Sequence, residues 1–469
     1  MTKRFRICDL DQLFLLPPSL QEWLPEEHLA RFVADVANEL DLSTIYAAYE
    51  RSDGRGLSAY HPLLMTRLLL YGYCIGVTSS RKIERATYDD LAFRYLAADQ
   101  HPDHDTLATF RQEHLEALAG LFVQALRLCQ KAGLVKLGNV AIDGTKIKAN
   151  ASTRRSVPYK KLMEREQYWQ ATVERLLAQA QQTDGEEDQR FGPGQPADPL
   201  PEELAHAKSR LARIREAKAE LEREAQEQLQ AAAKNHLPRK RGRPRKEEQE
   251  GLASEDPQQR KKDGRRYRRA KQKAAEPTRQ YNFVDPDSRV LKDNGTKSFV
   301  QGYNAQTAVD SHKQVIVAAE VTQQPTDRQQ LVPMVRSVCQ TAESTPQVVI
   351  ADAGYWDTDS LQHPSLQGIQ LLISPDSTPQ PPGAPLPANA PRNDQAVRMR
   401  EALTAPPGKA LYALRKTTVE PVLGQIKEAR GLRRFRLRGL RHVTCEWKLI
   451  CATHNLLKLF RHQLSLAPA

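Results

Sequence analysis

Two stretches decide how this chain reads: LGNVAIDGT at residues 137–145 and QVVIADAGYWD at residues 347–357. Each is a short apolar run that breaks off in an aspartate, Asp143 or Asp352, with a small residue next. Such a run, bounded by a turn signal, predicts a buried strand. Both carboxylates are then expected at the C-terminal ends of strands, where open α/β sheets bind ligands. Working outward, SFVQGYNAQTAVD (298–310) and QVIVAAEV (314–321) predict two consecutive strands, and GIQLLIS (368–374) predicts another. Residues 327–340 predict a helix with Leu331, Met334, Val335 and Val338 apolar. A proline-rich loop over 375–391 precedes a helical remainder from about Val397, broken by a basic loop at 430–438. This order describes an α/β domain.

The flanking segments differ in texture. Residues 1–135 predict helices, most clearly over 113–132, where Leu115, Leu118, Phe122, Leu126 and Cys129 recur at helical spacing. A long interruption separates the first strand from the second. Its first arm carries Leu162, Trp169, Val173, Leu176 and Ala180 at heptad positions, and its second carries Leu204, Ala207, Leu211, Ile214, Leu221 and Ala225. A Gly/Pro-rich loop at 183–201 joins the arms, so an antiparallel helical hairpin is expected.

The 469 residues suffice for two to four domains. No run of 18 apolar residues exists, which excludes a membrane-spanning helix. The N-terminus lacks an apolar signal region, and six cysteines without a CxxC pair do not form a disulfide framework. A reducing cytoplasm is the expected compartment. The net charge of +12 is concentrated: residues 239–273 hold 15 Lys/Arg against 6 Asp/Glu. A second block at 427–448 holds eight Lys/Arg against Glu428 and Glu446. Clustering of this kind suits phosphate neutralisation, and the first block is expected to lack regular structure when free. The alternative is a pair of solvated linkers.

A lone aspartate at a strand end is usually a turn or cap residue, so Asp143 and Asp352 matter as a set. Two carboxylates facing one cleft repel unless a cation neutralises them, and hard oxygen donors suit Mg2+ or Mn2+. A third candidate, Glu420, precedes Pro421 and is expected at a helix boundary or kink. Lys427 follows seven residues on, two turns along the same face if the helix continues. Two other clusters are set aside as metal sites. His101, Asp103, His104 and Asp105 read as a polar loop with a helix cap. His442, Cys445, Cys451 and His454 point to several faces of one helix.

Taken together, IDGTKIKANAS, GYNAQTAVD, IADAGYWD and Tyr412–Arg415–Glu420–Lys427 resemble a bacterial insertion-sequence transposase of the DDE class. The N-terminal RSDGRGLSAYHPLL and HPDHDTLATFRQEH extend the resemblance over nearly the whole chain. It implies a ribonuclease H-like mixed sheet with helices, preceded by an all-α domain and interrupted by the helical hairpin. The corresponding boundaries are 1–135 for DNA-end recognition, 136–150 with 281–465 for catalysis, and 151–280 for the insertion and its flexible basic segment. It further implies two metal ions, Mg2+ or Mn2+, held by Asp143, Asp352 and Glu420. One ion would activate water, and later a DNA 3′-hydroxyl, while the other stabilises the leaving oxygen. Tyr412, Arg415 or Lys416, and Lys427 would hold the DNA backbone. The implied partners are double-stranded DNA, as terminal inverted repeats and target, and a second copy of the chain on DNA. The implied place is the bacterial nucleoid.

One departure stands. The family's tail spaces its Arg and Glu by three residues, whereas four separate Arg415 from Glu420, and Lys416 has the three-residue spacing. Which of the two takes the Arg role is open at this point. Trp356 is either a base-stacking residue or core. Separately, Lys240, Arg241, Arg243 and Arg245 in KRGRPRK resemble an AT-hook, whose arginines enter the narrow minor groove of A·T-rich DNA; a generic basic linker is the alternative. Two rival functions remain in view, a non-enzymatic DNA-binding protein derived from a transposase and a structure-selective nuclease on the same fold.

Overall fold

The computed structural model describes residues 19–50, 58–191, 202–234, 257–293, 298–376 and 390–466. The chain divides into two compact units, residues 1–150 with 287–469, and residues 151–286. Lys240, Arg241, Arg243 and Arg245 lie outside the described residues.

The strands in chain order are β1 (Asn139–Lys148), β2 (Ser156–Pro158), β3 (Gln280–Asn282), β4 (Arg289–Lys292), β5 (Phe299–Asp310), β6 (Ile316–Thr322), β7 (Val348–Ala351) and β8 (Gln370–Ile373). In the first unit the order is β4-β5-β1-β7-β8, with β6 also pairing β5. β5 runs antiparallel to β1, while β7 is parallel to β1 and β8 parallel to β7. β1 is therefore central. Val140, Ala141 and Ile142 are buried, as a strand covered on both faces requires. The mixed α/β class expected from the sequence is what the sheet and its helices form.

Helices Pro62–Ile75, Leu115–Lys131 and Leu440–Leu466 pack in the same unit as this sheet. Cys129 Sγ meets Asn455 O at 3.5 Å, and the Asn455 side chain bonds both backbone groups of Ile316 on β6. The N-terminal helices and the sheet thus share one core. No helix of the described residues is long and apolar enough to cross a membrane.

In the second unit, helices Tyr159–Phe191 and Glu202–Lys234 use the two heptad arms. Leu162 packs with Ile214, Ala217 and Leu221, whereas Val173 packs with Leu204, Ala207 and Leu211. Early residues of one helix meet late residues of the other, so the pair is antiparallel. Glu166 joins them by bonding Arg215 at 3.2 Å and Lys218 at 2.9 Å.

Four local expectations change. Asp143 lies within β1 rather than at its end, because β5 keeps pairing as far as Lys148↔Gly302 after β7 has stopped at Ile142↔Ala351. Asp327 lies in a turn, and its helix begins only at Leu331. The basic stretch is helical over Pro257–Ala275, with Ala270 buried and Arg265, Arg266, Arg268 and Arg269 exposed. Glu420 is not at a helix boundary, since its helix runs Pro406–Gly424 through Pro421 and continues as a π-helical segment, Gln425–Ala429. Pro421 has no N–H for the carbonyl of Thr417. Gln314 Nε2 takes that carbonyl instead at 2.8 Å, which removes much of the cost of a mid-helix proline.

Candidate active site

The register of β1 against β7 builds the centre of the site. Ile142 pairs with Ala351, and the next residue on each strand is an aspartate. Neighbouring strands lie about 4.8 Å apart, so the two carboxylates start side by side. Each is steadied by a glycine amide. Gly144 N donates to Asp143 Oδ1 and Gly354 N donates to Asp352 Oδ1, both at 2.8 Å.

Burial and mutual repulsion disfavour both charges. Burial, then the Asp352 charge, pushes the Asp143 carboxyl from its ordinary 3.8 up to about 7. Burial pushes Asp352 in the same direction. A carboxyl raised in the folded state binds protons there that the unfolded chain has released, so stability falls as pH rises through that window. Asp143→Asn is thus expected to unfold at a higher temperature than the parent in EDTA. The gap should open between about pH 4 and 7 and stay level above. Thermal unfolding across a pH series checks this, and a gap independent of pH would contradict it.

The helix Pro406–Gly424 lies over this pair. Arg415 Nη1 stands 3.8 Å from Asp143 and its Nη2 3.3 Å from Glu420. The Arg415 side chain is 16 % exposed, whereas Lys416 is exposed, so Arg415 is the residue that reaches the carboxylates. Glu420 is 48 % exposed and paired to Arg415, standing apart from the Asp143–Asp352 pair. Lys427 Nζ donates to Thr145 Oγ1 on β1 at 3.1 Å. Tyr412 is half-buried against Val348, Ile350 and Leu372, which makes it part of the packing of this helix on the sheet. Trp356 is buried and belongs to the core. Among the described residues no three carboxylate, imidazole or thiol groups stand close enough together to hold one ion.

Four polar residues near the pair escaped the sequence reading. Asp327 Oδ1 accepts from Asn304 Nδ2 at 2.7 Å and Gln306 Nε2 at 2.6 Å, and Lys146 Nζ stands 3.8 Å away. Asn304 and Gln306 alternate along β5, a strand buried throughout from Gln301 to Asp310. That period-two polar pair was a usable signal. Asp327 offered none.

A basic rim adjoins the C-terminal end of β1. Lys148 exchanges backbone bonds with Arg433 and Phe435 at 3.1 and 2.9 Å. Leu432, Phe435 and Leu437 are buried while Arg433, Arg434, Arg436 and Arg438 are exposed. The fully buried Glu446 accepts from Arg436 N and Leu437 N at 3.0 Å, which pins the loop from beneath. A hollow of about 470 Å³ opens there among Gln112, Leu115, Asn150, Arg436, Arg438 and His442.

Comparison with known proteins adds two matches. Residues 18–113 match the family described as Transposase domain (DUF772), and residues 383–460 match the Transposase DDE domain. Tyr412, Arg415, Glu420 and Lys427 fall inside the second match, whereas Asp143 and Asp352 lie between the two. No curated protein and no solved structure matches the chain.

Proposed function

Since this chain belongs to the DDE transposases of insertion sequences, we propose that it cuts and joins the ends of a mobile element at Asp143, Asp352 and Glu420. The observation that carries this is the aspartate pair one step beyond Ile142↔Ala351, faced by Arg415 and Glu420 on one helix. The sheet supports it. A central first strand, antiparallel to β5 on one side and beside the parallel β7 and β8 on the other, is what a ribonuclease H-like domain would require.

The residues fit a hard divalent cation. Two neighbouring, partly buried carboxylates favour one, and Asp143 and Asp352 would hold it, with Glu420 as the third carboxylate of the site once Arg415 turns to a phosphate. When bound, two Mg2+ or Mn2+ ions supply charge stabilisation and a nucleophile at neutral pH. Arg415 neutralises Asp143 and Glu420 in the arrangement seen here. With a cation in place it is free to bind a phosphate, alongside Lys427. The rim of Arg433, Arg434, Arg436 and Arg438 and the helix Pro257–Ala275 carry the backbone contacts that position DNA. Residues 1–135 read the terminal inverted repeats, residues 136–150 and 281–465 do the chemistry, and 151–280 is an insertion adding DNA or dimer contacts. The protein works as a homodimer on DNA, in the bacterial nucleoid.

A plasmid excision assay with the element's own ends tests the reading. Excision with end-joining is the expected result. Cleavage without joining would make the chain a structure-selective nuclease, and binding without cleavage a non-enzymatic DNA-binding protein.

A further inference from the structure

A third carboxylate, Asp327, lies beside the aspartate pair on β1 and β7, and a glycine makes room for it. Gly144, whose amide holds Asp143, has no side chain at the point that Asp327 occupies. A methyl there would lie 2.5 Å from Asp327 Oδ1 and 3.0 Å from Asn304 Oδ1. Gly354, whose amide holds Asp352, faces the other oxygen. A methyl there would lie 3.6 Å from Asp327 Oδ2 and 2.9 Å from Asp352 Oδ1. Asp327 therefore reaches both aspartate turns at once.

Its anchoring is asymmetric. Oδ1 accepts from Asn304 and Gln306 and faces Lys146. No bond to Oδ2 is seen among the described residues, and that oxygen is the one turned toward Asp352 and Gly354. The next residue ties the same turn to the Asp352 loop, with Arg328 Nε bonded to Trp356 O at 3.3 Å. Gln306 adds a second tie, because its Oε1 accepts from the buried Tyr355 hydroxyl. An independent observation points to a guest. Asn304 is fully buried, yet its Oδ1 has no partner among the described residues and is directed at the same glycine. A buried unpaired acceptor beside three carboxylates suits a cation or the water such a cation carries.

We propose that Asp327 is a positioning residue of the cation site, holding a divalent ion at Asp143 and Asp352 through its charge and through bound water rather than by direct ligation. This rests on the cation reading above. Asn304, Gln306 and Lys146 fix its Oδ1, and Gly144 is required because a side chain there would clash with that oxygen.

Mn2+ titrated into the full-length, metal-free protein, with free Mn2+ read by electron paramagnetic resonance, tests this without reference to activity. Asp327→Asn is expected to weaken Mn2+ binding roughly 10- to 100-fold, the usual cost of losing an outer partner. Asp327→Glu, which keeps the charge, is expected to recover most of that loss. Parent-like Mn2+ binding by D327N overturns the proposal, as does equal weakening in both variants. A D327N protein that no longer folds in EDTA also overturns it, since a charge set against two others is not what holds a fold together. D143N separates the two readings. If D143N binds poorly and D327N normally, only the role of Asp327 falls. If the parent binds no Mn2+, the cation reading falls with it.

Discussion

Asp143→Asn and Asp352→Asn are each expected to abolish strand cleavage while leaving DNA binding near the parent level. Both changes keep side-chain size and remove the charge that a divalent ion requires. Cations held there would contribute several kcal/mol of transition-state stabilisation, and each 1.36 kcal/mol is tenfold, so on the proposed function the loss should be roughly 10³-fold or more. On the proposed function affinity would rest elsewhere, on the exposed arginines of the 433–438 loop and the Pro257–Ala275 helix. Cleavage of an end-labelled element end and a gel shift on the same preparation separate the two quantities. A variant that cuts at near the parent rate would remove that residue from the site.

The second large effect concerns salt. Arg265, Arg266, Arg268 and Arg269 are exposed on one helix, and among the described residues none of the four has an acidic partner within ion-pair distance. Each phosphate neutralised adds about 0.9 to the slope of log affinity against log salt. Replacing all four by Gln is expected to flatten that slope by roughly 3 to 4 and to weaken binding across unrelated sequences alike. Because the residues face solvent, the fold should be unaffected. An unchanged slope would show that this helix does not touch DNA.

What could be read from the residues alone follows physical lines. Asp143 and Asp352 were legible because VAI and VVIA are apolar enough to be strands and each run stops at a carboxylate. Their neighbourhood was legible only through the parallel register, which pairs residues more than 200 positions apart. The antiparallel extension of β1 past Asp143 was hidden, since DGTKIK is polar and only β5 makes it a strand. The helix at 257–275 was masked by its charge; its apolar stripe is as thin as Tyr267, Ala270 and Ala274. The uninterrupted helix around Pro421 needed Gln314, a residue on a distant turn, to take the stranded carbonyl. Asp327 sits in QQPTDRQQ, where nothing local distinguishes it from any solvated turn. What marks it is a missing side chain elsewhere, at Gly144. That Arg415 rather than Lys416 reaches the carboxylates likewise depends on which side of the helix faces the sheet.

The pairing of β1 with β5 also sets a clock on synthesis. Even the nearest partners in that ladder, Lys148 and Gly302, are separated by more than 150 residues of chain. A ribosome adding roughly 5–20 residues per second needs on the order of 8–30 s to cover that distance. During that interval the helical pair of residues 159–234, whose contacts are local, can form on its own timescale, while the strand bearing Asp143 waits unpaired. Asp352 is translated later still. If the proposed function holds, a nascent or truncated product would carry its basic charge before its aspartate pair is assembled, and such fragments would occupy DNA rather than cut it.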